Sequence, residues 1–212
     1  HVGPRDPDKP CNQDFALALE IVVSKNDHYA IGIVADGVST KVFWPERASR
    51  IAGLVALEET FQFLEALSRG AEQSSLPERL KSALVAAYER DKLALGNTPS
   101  LLFDPDFYAK RKDQLESWYQ STLMVGVLGR KGFVLCAGDG AVVELQRDSM
   151  RQQMETTDDL SITSCASLTM GAHDCGTLFD YDEGERVLVL TSDGVDRTAA
   201  TAPGFSREEY FK

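Results

Sequence analysis

Three short apolar runs in this chain each lead into an aspartate. Ile31-Gly32-Ile33-Val34-Ala35 meets Asp36-Gly37, Phe133-Val134-Leu135-Cys136-Ala137 meets Gly138-Asp139-Gly140, and Val187-Leu188-Val189-Leu190-Thr191 meets Ser192-Asp193-Gly194. A fourth carboxylate, in Asn12-Gln13-Asp14, stands just before another apolar stretch. Short β-branched runs read as buried strands. Each aspartate therefore marks the point where the chain leaves the apolar layer and a charge needs water or a partner. Asp-Gly is also a common turn dipeptide, and turn chemistry alone explains any single pair. The set says more than its members. If the strand ends converge, three or four carboxylates share one cleft, and two of them ~5 Å apart repel by roughly 3 kcal/mol at an effective dielectric of about 20. Cations cancel such repulsion, and an oxygen-only donor set favours the hard ions Mg²⁺, Mn²⁺ or Ca²⁺.

The elements that would position these residues are legible in part. Phe15, Leu17, Leu19, Ile21 and Val23 alternate with small or polar residues, which predicts a strand. A turn over Ser24 to Asp27 and a second strand from His28 to Ala35 complete a hairpin. Pro45 and Glu46 suit the first turn of a helix that Gly70 stops, with Ile51, Leu54, Val55, Phe61, Leu64 and Leu67 as its apolar face. A second helix is expected from near Pro77 to Gly96, with Leu80, Leu84, Ala87, Tyr88 and Leu95 as its stripe. Thr98 to Ser117 reads as a loop with a short helix whose Lys110-Arg111-Lys112-Asp113 run is solvated. Ser121–Leu128, Gly132–Ala137 and Ala141–Gln146 read as a three-strand meander with Gly turns, and Arg151–Thr157 as a further strand. Asp158 to Asp182 is polar, Glu185–Thr191 is a last strong strand, and Ser206-Arg207-Glu208-Glu209 could open a terminal helix. Hairpins, then helices, then more hairpins predict antiparallel sheets covered by helices.

At 212 residues the chain suits one domain with its own core. A formal net charge of −11 argues against nucleic acid or an anionic membrane as partner, because phosphate surfaces need clustered Lys and Arg. The four cysteines, Cys11, Cys136, Cys165 and Cys175, form no CxxC pair and the histidines are scattered, so no zinc site is expected. Reduced thiols in a cytoplasmic setting are the expectation. No apolar run approaches the ~20 residues of a membrane span.

Taken in order, Asn12-Gln13-Asp14, Val34-Ala35-Asp36-Gly37, Ser121-Thr122, Ala137-Gly138-Asp139 and Thr191-Ser192-Asp193-Gly194-Val195-Asp196 resemble the metal-dependent serine/threonine protein phosphatases of type 2C in their bacterial form. Glu46-Arg47-Ala48-Ser49 also resembles the start of that family's first long helix. The resemblance implies an α/β (α+β) four-layer sandwich, with two central antiparallel β-sheets flanked by helices. It implies two Mg²⁺ or Mn²⁺ ions, with a weaker third position in some members. Asp36 would bridge the two ions, the Gly37 carbonyl would bind one and Asp193 the other. Asp139 would contribute to the third position with Asp193, while Asp14, beside Gln13, would orient metal-bound water. A water bridging the ions would attack phosphoserine or phosphothreonine in line, on a phosphorylated protein that is a Ser/Thr kinase or its target, with no covalent intermediate.

The chain departs from the family pattern at four places. Val38-Ser39-Thr40 stands where a Gly-Gly pair is usual, and Gln13 where Glu is common. The basic residue at the phosphate-binding offset is Lys9 in place of Arg, a point charge in place of a bidentate fork. The family's further metal-binding Asp-Asn on a late strand has no counterpart after Asp196. Two expectations stay open: a single type 2C-like domain over residues 1–212 that lacks the family's last strand, or a member that completes the metal shell otherwise, with Asp196 as the candidate substitute. The departures also motivate an alternative: a catalytically weak or inactive relative that binds a phosphoprotein or partner as a regulatory module.

Overall fold

The computed structural model describes residues 14–25, 27–37, 45–70, 76–96, 119–129, 131–138, 140–146, 149–155, 166–167, 177–180 and 186–192. Strands β1 (Asp14–Ser24) and β2 (Asp27–Asp36) form the expected hairpin, with a register shift near its turn between Val22 and Ser24. Alternation decides which face each residue takes. In β2, Tyr29, Ile31, Ile33 and Ala35 are buried while His28 and Ala30 are exposed. Helix α1 (Pro45–Ser68) begins at the proline, and Gly70, at φ 68°, follows its end in the left-handed conformation that glycine adopts freely. Helix α2 (Leu76–Gly96) follows, as the apolar spacing predicts.

The remaining elements are β3 (Gln120–Ser121), β4 (Leu123–Gly129), β5 (Lys131–Ala137), β6 (Gly140–Gln146), β7 (Ser149–Glu155), β8 (Ala166–Ser167), β9 (Thr177–Asp180) and β10 (Arg186–Ser192). They assemble into an antiparallel five-stranded sheet ordered β1-β2-β4-β5-β9, a three-stranded sheet β10-β6-β7 and the short pair β3-β8. The architecture is α+β. The helices pack on one face of the larger sheet, where Ile31, Ile33, Leu123, Val125, Val127, Phe133 and Leu135 meet Leu64, Leu80, Leu84 and Tyr88. Each large apolar side chain buried this way contributes about 1.5–3 kcal/mol. Phe63 of α1 meets Phe133 of β5 edge to face, with ring centroids 5.6 Å apart. On the opposite face Met124, Val134 and Cys136 pack against Val34, Leu188 and Leu190, which joins the two sheets. Cys136 is buried, as its place in an apolar strand predicts.

Two expectations need correction. The expected face of α1 holds for Leu64, which is buried, and for Ile51, Val55 and Leu67, which pack against the core, but Leu54 is 49% and Phe61 42% exposed, while Ala48, Ala52 and Ala56 are fully buried. The reason is close approach. Phe15 of β1 lies so near α1 that a Cβ built on Gly53 would stand 2.1 Å from its ring, so small residues occupy the contact line. The expected meander is also not one sheet. β4 and β5 pair, but β6 leaves them and pairs with β10 and β7, so the turn through Gly138 and Gly140 carries the chain from one sheet to the other. Ser121–Leu128 is likewise interrupted at Thr122, which separates β3 from β4. Strand β9, in the polar stretch, pairs with β5 and was not expected. The expected elements over Thr98–Ser117 and Ser206–Glu209 lie outside the described residues, and no described segment supplies helices over the second sheet. Among the described residues, no helix is long and apolar enough to cross a membrane.

Candidate functional site

The carboxylates of Asp14 and Asp36 belong to one end of one sheet. Asp14 opens β1, Asp36 closes β2, and the two are register partners. Both fall on the strand face opposite the helices, because Phe15 and Ala35 take the helix side. Asp14 is exposed and Asp36 is partly buried. Like charges directly opposite one another in an antiparallel pair repel.

Asp36 is held by its main chain. Its N–H donates to Thr122 Oγ1 at 3.0 Å, and the Thr122 N–H donates to the Asp36 carbonyl at 2.8 Å. Gly37 continues this contact as a bridge partner of Ser121. Thr122 in turn touches the sheet-to-sheet turn. Gly138 has φ 89°, and a Cβ there would stand 3.0 Å from Thr122 Cγ2, so both conformation and space ask for glycine. The Gly138 carbonyl also faces the Cys136 thiol at 3.9 Å. On the second sheet Ser192, the last residue of β10, pairs with Gly140, the first of β6.

These pairings bring the ends of β2, β5 and β10 and the starts of β1, β4 and β6 to one edge of the two sheets. Asp139 falls between Gly138 and Gly140, and Asp193 follows Ser192. Asp139, Asp193 and Lys9, like Asn12, Gln13 and Asp196, lie outside the described residues. Among the described residues, no three His, Cys, Asp or Glu side chains group to hold a metal. The donor chemistry that is present fits a hard divalent cation: facing carboxylates, and beside them a strand-end carbonyl at Gly37. A cavity of about 710 Å³ lies elsewhere on the same sheet face, toward the hairpin turn, lined by Glu20, His28, Gly32, Gly126, Leu188 and Leu190 among others, and does not belong to this site.

Behind the site, Arg47 of α1 binds Asp91 of α2 through Nε and Nη2, each at 2.5 Å, and the Tyr119 hydroxyl donates to Asp91 Oδ2 at 2.7 Å. The bond to Asp91 holds the Arg47 guanidinium above its ordinary pKa against the opposing effect of burial. Burial, and then the bond to Asp91, push the Tyr119 hydroxyl far above its usual range. Sequence reading singled out none of these contacts, since they join residues 44 and 28 positions apart.

The described residues form an antiparallel α+β fold in which Asp14 and Asp36 sit at one edge of the larger sheet. Comparison with solved structures identifies the fold. The chain is similar to the solved structure of PppA, a key regulatory component of T6SS in Pseudomonas aeruginosa, at 17% identity and a TM-score of 0.51, covering 91% of this chain and 75% of that one. It is similar to the structure of the PP2C phosphatase domain and a fragment of the regulatory domain of SpoIIE from Bacillus subtilis, at 12% identity and a TM-score of 0.51, covering 91% of this chain and 44% of that one. The chain has the bacterial type 2C phosphatase fold. At these identities the likeness establishes the fold alone. No family model matches the chain, and no curated protein matches it by sequence.

Proposed function

We propose that this protein is a metal-dependent serine/threonine protein phosphatase that acts on phosphoserine or phosphothreonine of a protein substrate. The observation that carries the reading is the facing pair Asp14 and Asp36 at the shared edge of two sheets, in a chain with the type 2C fold. Two Mg²⁺ or Mn²⁺ ions, when bound, supply a water of lowered pKa and neutralise charge on the phosphoryl oxygens. In this reading Asp36 and the Gly37 carbonyl hold the ions together with Asp193, and Asp139 adds a donor for a weaker third ion. Asp14 orients water at its carboxylate. Lys9 offers its ammonium to the substrate phosphate. The Thr122 bonds to both main-chain groups of Asp36 fix the backbone from which that carboxylate projects.

The same reading gives the chain one type 2C domain and the family's four-layer sandwich, and makes a phosphorylated kinase or kinase target in the cytoplasm its partner. A net charge of −11 suits a site that gathers divalent cations. The test is hydrolysis of p-nitrophenyl phosphate and of a phosphothreonine peptide with and without Mn²⁺. Turnover that requires Mn²⁺ and is lost in Asp36→Asn supports the proposal. Metal binding without turnover on either substrate would overturn it in favour of a phosphoprotein-binding module.

A further inference from the structure

The segment Tyr119-Gln120-Ser121-Thr122 is polar throughout, yet its members are only 3%, 6%, 0% and 5% exposed. Burying a polar run costs stability unless its groups are paired. In the middle they are not: Gln120 Oε1 and Ser121 Oγ are buried without a hydrogen-bond partner. The side-chain bonds that fix the segment lie at its two ends. At one end, Thr122 grips Asp36 through its hydroxyl and its N–H. At the other, the Tyr119 hydroxyl is bound by the Asp91 carboxylate, which Arg47 holds from α1 with both arms of its guanidinium. The Tyr119 ring also packs against Tyr88 of α2, with centroids 5.0 Å apart.

The arrangement is a continuous mechanical path. Arg47 and Asp91 lock the two helices to each other, Asp91 locks Tyr119 to the helices, and three residues later Thr122 locks Asp36 to the sheet end. The Asp91 carboxylate sits at a partly buried junction where its charge is offset by the bidentate arginine, an arrangement with fixed geometry. We propose that Asp91, with Arg47 and Tyr119, is a positioning residue for Asp36: it sets the register of the 119–122 segment and so the place of the metal-binding carboxylate. The proposal rests on the functional reading above, and names the residues that hold its central ligand from behind. Outer partners of metal ligands typically account for about 10–100-fold in metal affinity.

The experiment is calorimetric titration of Mn²⁺ into the full chain at a temperature where every variant is folded, alongside kcat and KM on p-nitrophenyl phosphate. Tyr119→Phe removes one hydroxyl and leaves the ring. Asp91→Asn removes the charge and the bidentate arginine contact. Leu80→Val, a core change on the same helix α2, controls for loss of stability. Tyr119→Phe and Asp91→Asn are expected to raise the Kd for Mn²⁺ about tenfold or more, and to lower kcat more than they raise KM. Leu80→Val is expected to lower the melting temperature without changing Kd. Mn²⁺ affinity unchanged in Tyr119→Phe and Asp91→Asn, while Asp36→Asn abolishes binding, would overturn the positioning role and leave the phosphatase reading intact. A Leu80→Val variant that loses as much affinity as Tyr119→Phe would also overturn it. A wild-type chain that binds no Mn²⁺ would overturn both. If Asp91→Asn does not fold, Tyr119→Phe alone decides.

Discussion

Asp36 and Thr122 bond each other reciprocally: each main-chain N–H finds its acceptor on the other residue, at 3.0 Å and 2.8 Å. One of these acceptors is a side-chain hydroxyl and can be removed without touching the carboxylate. Thr122→Val keeps the shape and deletes Oγ1. A donor left unsatisfied at a partly buried position costs about 1–3 kcal/mol. The variant is expected to unfold at lower urea than the wild type, with an unchanged m-value, and to bind Mn²⁺ more weakly. Thr122→Ser keeps the acceptor and should restore most of the affinity. A Thr122→Val protein with wild-type urea midpoint and affinity would show that the bond does not hold Asp36.

Gly138 and Gly70 separate two ways in which glycine matters. Both have positive φ, 89° and 68°, but a Cβ at Gly138 meets Thr122 at 3.0 Å whereas one at Gly70 meets nothing within 4 Å. Gly70→Ala should cost only the backbone term, about 1–2 kcal/mol, and should not affect the site. Gly138→Ala adds contact with the residue that grips Asp36, so it should cost about 1–3 kcal/mol in backbone strain and also weaken Mn²⁺ binding. Equal behaviour of the two variants in chemical denaturation and metal titration would contradict this.

How much of this was legible beforehand follows the range of each interaction. The β1–β2 hairpin and both helix boundaries could be read, because period-two alternation, Pro45 and Gly70 act within a few residues. The convergence of Asp14 and Asp36 followed from the hairpin itself. On α1, Leu64, Ile51, Val55 and Leu67 take the core side as expected, whereas Leu54 and Phe61 were misplaced there, and the nearness of Phe15 to Gly53 asks for a small residue at that contact. The departure of β6 to a second sheet was hidden because Gly138-Asp139-Gly140 looks locally like a hairpin turn, and only pairing with β10 decides otherwise. The contact of Arg47 and Tyr119 with Asp91 carried no local signal, since their meeting depends on the packing of α1 against α2. The expected roles of Lys9, Asp139 and Asp193 fall on residues outside those described.

The Tyr119 hydroxyl gives the protein an alkaline signature. Its folded-state pKa is raised by burial and by the bond to Asp91, while the unfolded chain titrates near the usual value of about 10. Above about pH 10 the unfolded state has lost a proton that the folded state keeps, so stability falls as pH rises; below it the contribution is complete. Urea unfolding of the wild type should therefore weaken more steeply above about pH 10 than that of Tyr119→Phe. The difference between the two should stay constant at lower pH. Parallel profiles through that range would mean that the hydroxyl is not held in its protonated form.

The central claim is that Asp36 is a metal ligand crowded against Asp14, and Mn²⁺-dependent thermal unfolding of wild type and Asp36→Asn tests it most directly. Mn²⁺ at a hundred times its Kd should stabilise the wild type by about 2.7 kcal/mol and raise its melting temperature. Without metal, Asp36→Asn should melt at or above the wild type, because a like-charge cross-strand pair has been relieved, and Mn²⁺ should no longer move it. A melting temperature that Mn²⁺ raises equally in both proteins, or in neither, would contradict the account.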